Sequence, residues 1–287
     1  MPEFLSTFWQ TYNTLIYTIF INATLGLSIY ITLACGQLSL GNAAFMGIGA
    51  YTAALMTMKT GVPFGISLLL GGLLPAVVAL IIGIPVLRLS GVYLAMATLG
   101  FGEVVRVIFL NLSITGGPLG LNGIPQKTGL WHLLFALGLV IAVFIKLKDS
   151  WFGRAMEAIN EDEVAARVMG IHTTSIKVWA FATGAFIAGI AGGLNAHYTF
   201  FVSPREYGFE PAVDILTFAI LGGTRTLWGP IVGSIVLTVL PELFRFLGPY
   251  RLALNGFILV MAVLYLPNGI VDRDTVQRIK TLKVFRR

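Results

Sequence analysis

The stretch DSWFGRAMEAINEDEVAARVMGIH, residues 149–172, is the one long polar segment in an otherwise apolar chain. Residues 148–172 carry eight Asp, Glu, Lys and Arg side chains, whereas the 147 residues before them carry seven. Apolar runs long enough to cross a bilayer lie on both sides of it. Because charged side chains are costly inside a bilayer, this segment is predicted to lie in water between two groups of membrane spans.

The polar segment, which we call the knob (residues 148–172), still has helical periodicity. Its apolar residues recur every three or four positions in two sets: Ala155, Ala158 and Ile159, then Val164, Ala165 and Val168. Gly170 is placed to end the second set. The sequence therefore predicts two short helices that meet near Asn160. An apolar stripe with mixed charge favours a docking element for a soluble partner, and the alternative is a solvated loop that contacts nothing.

The composition predicts an all-α polytopic membrane protein. Of the 287 residues, 56% are hydrophobic and 11% are charged, whereas soluble domains carry about 25% charged residues. The chain contains nine candidate spans: 13–34, 41–58, 65–87, 91–111, 131–147, 176–198, 211–223, 228–247 and 252–269. The spans 41–58 and 211–223 are short and adjoin Gly-rich turns, so we expect about eight or nine transmembrane helices, some of them short, broken or re-entrant.

Basic residues predict the orientation. With the knob in the cytoplasm and nine crossings, thirteen Lys and Arg residues lie inside and five outside. The N-terminus is then outside, and the basic tail, residues 271–287, is cytoplasmic. The net charge of +6 comes from basic residues scattered near span ends, which does not indicate a nucleic-acid surface.

Six Gly-rich motifs follow one another along the chain. They are GQLSLGNAAFMGIGAY (36–51), GVYLAMATLGFGEVVR (91–106), ITGGPLGLNGIP (114–125), GRAMEAINEDEVAARVMGI (153–171), AGGLNAHYTFFVSP (191–204) and ILGGTRTLWGPIVGSIVLTVLPELFR (220–245). In this order they resemble the LivM-type permeases of branched-chain amino acid ABC importers, over roughly residues 20–270. Asn42 departs from the pattern, because His is expected there in many relatives.

The resemblance implies a single transmembrane permease domain over residues 1–287 with the ABC importer permease fold. It implies that the chain moves branched-chain or other neutral amino acids through the cytoplasmic membrane. The expected partners are two ATP-binding subunits, a homologous second permease and an extracytoplasmic solute-binding protein. Related permeases carry urea or short amides, so those substrates remain an alternative.

The same resemblance assigns the knob, extended to residues 148–175, to coupling with the ATPase. Val164-Ala165-Ala166 followed by Gly170 is similar to the EAA…G pattern of coupling helices, with Glu163 displaced by one position. The residues expected to act in coupling are Arg154, Glu157, Glu163, Ala165, Ala166 and Gly170. The chain has no G-x-x-x-x-G-K-[ST] motif, so ATP is expected to bind to separate subunits, and the chain is expected to hold no cofactor.

Polar residues within or next to the spans are candidates for the translocation path. They are Gln37, Ser39, Asn42, Phe45, Asn195 and Asp214, with Phe45 offering an apolar contact. Scattered single hydrogen bonds suit a route from which the solute must be released. The alternative is that the 36–51 segment is only a packing seam, as small-xxx-small pairs such as Gly189 and Gly193 are elsewhere. For Asp214 the alternative is a helix cap.

Glu103 and Arg106 lie three residues apart within one span and are expected to pair. The pair is either a self-neutralised structural element or a contact for a zwitterionic solute. The three histidines, His132, His172 and His197, lack metal-ligand spacing, and neither H-E-x-x-H nor G-x-S-x-G occurs. An enzyme is therefore not expected. The competing functions are an ion-coupled secondary transporter and, with less support, a structural subunit.

Overall fold

The structure is a computed structural model that describes residues 2–243, 256, 260, 264 and 269–271, with side chains from residue 12 onward. The predicted span 252–269 and the basic tail 271–287 fall almost entirely outside these residues.

Ten α-helices account for most of the described chain. They are α1 (Pro2–Leu33), α2 (Asn42–Lys59), α3 (Phe64–Val86), α4 (Gly91–Asn111), α5 (Leu130–Asp149), α6 (Trp151–Glu161), α7 (Glu163–Val168), α8 (Thr173–Thr199), α9 (Phe209–Gly222) and α10 (Trp228–Leu243). Five of them, α1, α3, α4, α5 and α8, are long and apolar enough to cross a membrane. The prediction of an all-α polytopic membrane protein is confirmed.

One small sheet joins two loops of the bundle. Strand β1 (Leu121–Asn122) pairs antiparallel with β2 (Phe201–Val202). Short 3₁₀ helices flank it at Ser113–Thr115, Gly117–Leu119 and Pro204–Tyr207. The strands follow the C-terminal ends of α4 and α8, whereas the knob precedes α8, so the sheet lies at the end of the bundle far from the knob.

Helix α8 is the centre of the bundle, packed on α1, α2 and α3. Its span is 72% buried, against 28% for α3, α4 and α5. Small residues allow this packing, because a methyl group on Gly49 would overlap the backbone of Gly189, and one on Gly192 would overlap the carbonyl of Met46. In a membrane, helices gain little from the hydrophobic effect when they associate, because lipid is itself apolar. Van der Waals contact between closely packed backbones stabilises the association instead.

Two helices are short, as the sequence predicts. Helix α2 has 18 residues and is buried along most of its length. Helix α9 has 14 residues, about 21 Å, which is less than the hydrocarbon thickness of about 30 Å. It begins beside the middle of α4, because Gly208 lies against Glu103 and Arg106. We therefore describe α9 as a half-helix.

The knob folds as the two predicted helices, α6 and α7. The break lies at Asp162, two residues after Asn160, near which it is predicted. The carboxylate of Asp162 accepts hydrogen bonds from the backbone N–H of Val164 and of Ala165, at 2.8 and 3.0 Å. An Asp N-cap stabilises a helix start in this way. Gly170 follows α7 with a φ of 85°, a left-handed conformation that suits glycine at a helix end.

Candidate functional site

The knob is held to the bundle by an apolar face. Ala155, Met156, Ile159 and Ala166 are buried in one cluster with side chains of α1, α5 and α8. Ala166 is only 4% exposed, so it supports the knob from within and does not face outward. This differs from the expected outward placement of Ala166, because a six-residue helix docked on a bundle must bury one of its faces.

The outward face of the knob is apolar at its centre. Val164, Val168 and Met169 are 72%, 82% and 82% exposed. Among the remaining residues expected to act in coupling, Arg154, Glu157, Ala165 and Gly170 are also exposed, and Glu163 is half-buried. Exposed apolar residues rimmed by charge are typical of a protein-binding surface.

An ion pair that the sequence did not suggest ties the knob to α8. The Glu163 carboxylate accepts a hydrogen bond from the Nζ of Lys177, and Arg167 binds its second oxygen at 3.2 Å. Burial by itself would raise the pKa of Glu163, but the hydrogen bond and charge of Lys177 outweigh it, with help from Thr173 and Arg167. The pKa of Glu163 is therefore lowered. Fourteen residues separate the partners, beyond the reach of local pattern reasoning.

The expected path residues near α2 are enclosed by the protein itself. Gln37, Ser39, Asn42 and Phe45 are each 2% exposed or less. The Nδ2 of Asn42 donates to the Oγ of Ser28 at 2.8 Å. Phe45 packs against two other aromatic rings, with ring centroids 5.4 Å from the tilted ring of Phe101 and 5.2 Å from the edge-to-face ring of Phe181. In this conformation the four side chains are part of the packing.

Some of these buried polar atoms are unsatisfied. Within the described part of the chain, the Nε2 and Oε1 of Gln37 and the Oδ1 of Asn42 have no hydrogen-bond partner. An unsatisfied buried polar group costs about 1–3 kcal/mol. The segment before α2 therefore has hydrogen-bonding capacity that its own packing does not use.

Asn195 and Asp214 lie in different surroundings. Asn195 is half-buried in α8. Asp214 is exposed on α9, five residues after its first residue, and Gly208 is the N-cap of that helix. Asp214 therefore does not cap α9, and it shares an exposed face with Glu210 and Thr217, which lie one turn away on either side.

Glu103 and Arg106 pair as their spacing predicts. The Nε of Arg106 donates to the Oε2 of Glu103 at 2.7 Å, and both side chains are about one-third exposed, at 33% and 35%. They lie in the C-terminal half of α4, and Gly208 at the start of α9 lies against both of them. We refer to Glu103, Arg106, Glu210 and Asp214 as the charged face of α4 and α9.

A depression of 310 Å³ opens on this face. Seven residues line it: Glu103, Arg106, Arg205, Gly208, Phe209, Glu210 and Pro211. Sequence reasoning missed Arg205 and Glu210, because they lie about a hundred residues from Glu103 on a 3₁₀ turn and at the start of α9. The only feature of the sequence that pointed to this part of the chain was the short predicted span 211–223.

The histidines offer no metal site among the described residues, where no group of three His, Cys, Asp or Glu side chains could hold an ion. His197 is buried and satisfied, with its Nδ1 2.8 Å from the carbonyl of Gly193 and its Nε2 2.9 Å from the Oγ1 of Thr57. It is a packing residue inside the bundle rather than an interfacial one.

Comparison with known proteins identifies relatives of this chain among amino acid transport permeases. The chain is 36% identical to the high-affinity branched-chain amino acid transport system permease protein LivM of Salmonella typhimurium, over 88% of this chain and 68% of the relative. The probable LivM of Methanocaldococcus jannaschii is 25% identical over 74% and 69%. The permease protein LivH of Escherichia coli is 29% identical over 52% and 48%.

No solved structure matches the chain. The family described as "Branched-chain amino acid transport system / permease component" matches residues 11–266, which is most of the chain. The helices, the knob and this match agree, and the chain belongs to the family of branched-chain amino acid transport system permease components.

Proposed function

We propose that this chain is a permease subunit of an ATP-binding-cassette importer that moves branched-chain amino acids into the cytoplasm. The observation that carries the proposal is the 36% identity to LivM over 88% of the chain. The structure agrees with a transport role, because an all-helical bundle with a protruding knob has the two parts that such a subunit needs. The ion-coupled alternative gives no account of the knob.

The partners follow from the same relationship. Both LivM and LivH relatives are permease proteins of one kind of transport system, which supports pairing of this chain with a homologous second permease. Two separate ATP-binding subunits supply the work, and an extracytoplasmic binding protein delivers the solute. The excess of Lys and Arg on the knob side supports an N-terminus outside and a C-terminus in the cytoplasm.

The knob is the contact for the ATP-binding subunit. Val164, Val168 and Met169 provide an exposed apolar centre, with Arg154 and Glu157 at the rim. The Glu163–Lys177 pair joins α7 to the N-terminal part of α8, which is the most buried of the five candidate spans in the described part of the chain. A displacement of the knob therefore acts directly on the centre of the bundle.

The translocation route runs along the charged face of α4 and α9. Ionisable residues in membrane segments face a protein partner or a water-filled cavity rather than lipid, and Glu103, Arg106, Glu210 and Asp214 are accessible on the surface of this subunit. The second permease would cover this face. Gln37, Ser39, Asn42 and Phe45 reach the route only in a conformation in which α2 has moved.

The experiment is to replace Val168 with Asp in the assembled transporter. A charge at the centre of the docking surface is expected to abolish ATP-driven leucine uptake and to release the ATP-binding subunits during purification, while the permease stays in the membrane. Val168→Ile keeps the apolar contact and is the matched control. Uptake by Val168→Asp at the level of the control would overturn the coupling role of the knob.

Ala166→Arg gives a different outcome, because Ala166 is buried in the subunit. That variant is expected to lose folded permease as well as transport. The amount of monodisperse permease in the two variants therefore distinguishes loss of ATPase docking, expected for Val168→Asp, from loss of folding, expected for Ala166→Arg.

A further inference from the structure

We propose that the charged depression at the start of α9 binds the zwitterionic backbone of a free amino acid. The inference rests on the proposed function, which supplies the class of solute. The depression is a specific place on the charged face, formed by α4, the 3₁₀ turn Pro204–Tyr207 and the first turn of α9.

The charges of the depression match a zwitterion. Glu103, Arg106, Arg205 and Glu210 provide two cations and two anions around one opening. Glu103 and Arg106 bind each other. Within the described part of the chain, the guanidinium of Arg205 and the carboxylate of Glu210 form neither a salt bridge nor a side-chain hydrogen bond. One cation and one anion are thus available to a solute that carries one charge of each sign.

The N-terminus of α9 adds a site for the carboxylate. Gly208 is the N-cap, and no side chain caps the helix there. The N–H groups of Phe209 and Glu210 are the first two of the helix and lack partners within it, whereas Pro211 has no N–H. Together with the helix dipole, these two groups attract an anion. Half-helices whose N-termini lie within a membrane bundle bind anionic substrate groups in this way.

A buried polar group beside the depression supports the assignment independently. Tyr207 is 1% exposed, and its hydroxyl has no hydrogen-bond partner in the described residues. Tyr207 lines a narrow cleft together with Glu103, Gly208 and Phe209, three residues that also line the depression. The cleft and the depression are therefore adjacent, and Tyr207 carries an unused hydrogen-bonding group in the wall that joins them.

Size and shape also fit a small solute. The depression has a volume of 310 Å³, near the lower end of the roughly 300–1,000 Å³ of small-molecule sites. Phe209 and Pro211 offer an apolar surface for an aliphatic side chain. Gly208 allows the backbone to approach the ion pair, because a methyl group there would lie 3.2 Å from the Cδ of Arg106. The site is open, which suits a solute that must leave.

In the proposed arrangement the solute carboxylate contacts Arg205 and the N–H groups at the start of α9. The solute ammonium contacts Glu210, next to Glu103. The site thus recognises the backbone common to all amino acids, and it discriminates against molecules that lack either charge.

The test is a protection experiment in the complete transporter, reconstituted in liposomes. Cys35 is the single cysteine of this subunit, so Cys35→Ala removes its background. Phe209→Cys is then labelled with a charged thiol reagent in the presence of leucine, leucinamide or the keto acid of leucine. Leu119→Cys, at the exposed end of the 3₁₀ helix Gly117–Leu119, is the control position.

Leucine is expected to slow labelling at residue 209 but not at residue 119. Leucinamide, without the carboxylate, and the keto acid, without the amine, are expected to protect about tenfold less well, because each loses a charged hydrogen bond. Arg205→Gln and Glu210→Gln are expected to raise the half-protecting leucine concentration by about tenfold. Arg205→Lys keeps the charge and restores part of the protection.

A second measurement does not depend on the cysteine. With saturating binding protein, Arg205→Gln is expected to reduce leucine uptake about tenfold, whereas Lys127→Gln, at an exposed position away from the depression, leaves it unchanged. Equal protection by leucine and leucinamide, or wild-type uptake by Arg205→Gln, would overturn the site and leave the proposed function intact. Failure of the wild-type transporter to take up any branched-chain amino acid would overturn the proposed function itself.

Discussion

Two polar regions of the bundle look alike in sequence and differ in structure. The first is the packing seam, formed where α2 meets α1, α3, α4 and α8, and it includes Asn42 and Phe45. The second is the charged face of α4 and α9. Both combine glycine with hydrogen-bonding residues inside membrane segments, but the seam is enclosed by the subunit and the charged face is open on its surface.

The difference comes from what each glycine contacts. In the seam, Gly49, Gly189 and Gly192 bring one helix backbone against another. On the charged face, Gly208 lies against a charged pair of side chains instead. In both regions a glycine allows another group to approach the helix backbone closely. Where that group is a second helix backbone, the region is packing; where it is a charged side chain, the region stays available for binding.

The seam is expected to be the most sensitive part of the bundle. Gly49→Ala places a methyl group on the backbone of Gly189, so the free energy of unfolding should fall by about 3 kcal/mol, at the upper end for overpacking. The matched control is Gly138→Ala in α5, where a methyl group meets nothing within 4 Å and should be neutral or stabilise by about 0.5–1 kcal/mol. Thermal unfolding of the purified transporter measures both, and equal stabilities of the two variants would contradict the seam.

The packing seam and the charged face are also expected to differ in their accessibility to a polar reagent. In the Cys35→Ala background, Asp214→Cys should react fully with a polar thiol reagent while Phe45→Cys stays unlabelled, because Phe45 is 1% exposed and Asp214 is exposed. Mass spectrometry of the labelled subunit gives the extent of reaction. Labelling of Phe45→Cys as fast as Asp214→Cys in the resting state would break the comparison. Labelling of Phe45→Cys only in an ATP-trapped state would sharpen it, since α2 would then move into the route.

The Glu103–Arg106 pair is expected to show a moderate coupling. Glu103→Gln leaves an unpaired cation in the membrane, so it should impair assembly more than the double variant with Arg106→Gln does. The pair is about one-third exposed, which limits the interaction energy to about 0.5–1 kcal/mol. A double-mutant cycle on the unfolding free energy measures it, and purely additive losses would show that the two side chains do not stabilise each other.

The smallest effect on stability is expected at the ion pair between Glu163 of the knob and Lys177 of α8. The pKa of Glu163 is lowered in the folded protein, so its contribution to stability is complete above the ordinary value of 4.5 and is lost as the pH falls through the lower folded value. The protection factors of the α7 amides, which compare their hydrogen exchange with the intrinsic rate at each pH, should therefore fall on acidification below about pH 4.5. Glu163→Gln should remove that acid-dependent component, and an unchanged pH profile in this variant would assign it to other carboxylates.

Much of the fold could be predicted from local patterns. The knob helices followed from the spacing of Ala155, Ile159 and Val164, and the short α9 followed from a short apolar run beside Gly-rich turns. The break at Asp162, two residues after Asn160, reflects an N-cap, which competes with helix propensity at each residue of a polar stretch. Burial of Ala166 could not be predicted, because which face of a short helix docks depends on the bundle beneath it.

The candidate site was predicted in part. Glu103 and Arg106 pair at a spacing that any helix provides. Arg205, Glu210 and Tyr207 lie about a hundred residues away, and only the short start of α9 inside the bundle brings them to α4. Likewise, Lys177 reaches Glu163 because α7 folds back on α8.

The sequence by itself determined that this protein crosses a membrane several times, that it carries a polar helical knob between its spans, and that it belongs to its permease family. The spans and the knob depend on hydropathy and periodicity, and the family depends on the order of the sequence motifs. All of these can be read along the chain without knowing which residues meet in space. Only the tertiary structure decided which polar residues are packing and which are accessible, as Asn42 and Asp214 show. The reason is physical: exposure is a property of the neighbours that a side chain meets, and in a helical bundle those neighbours come from distant parts of the chain.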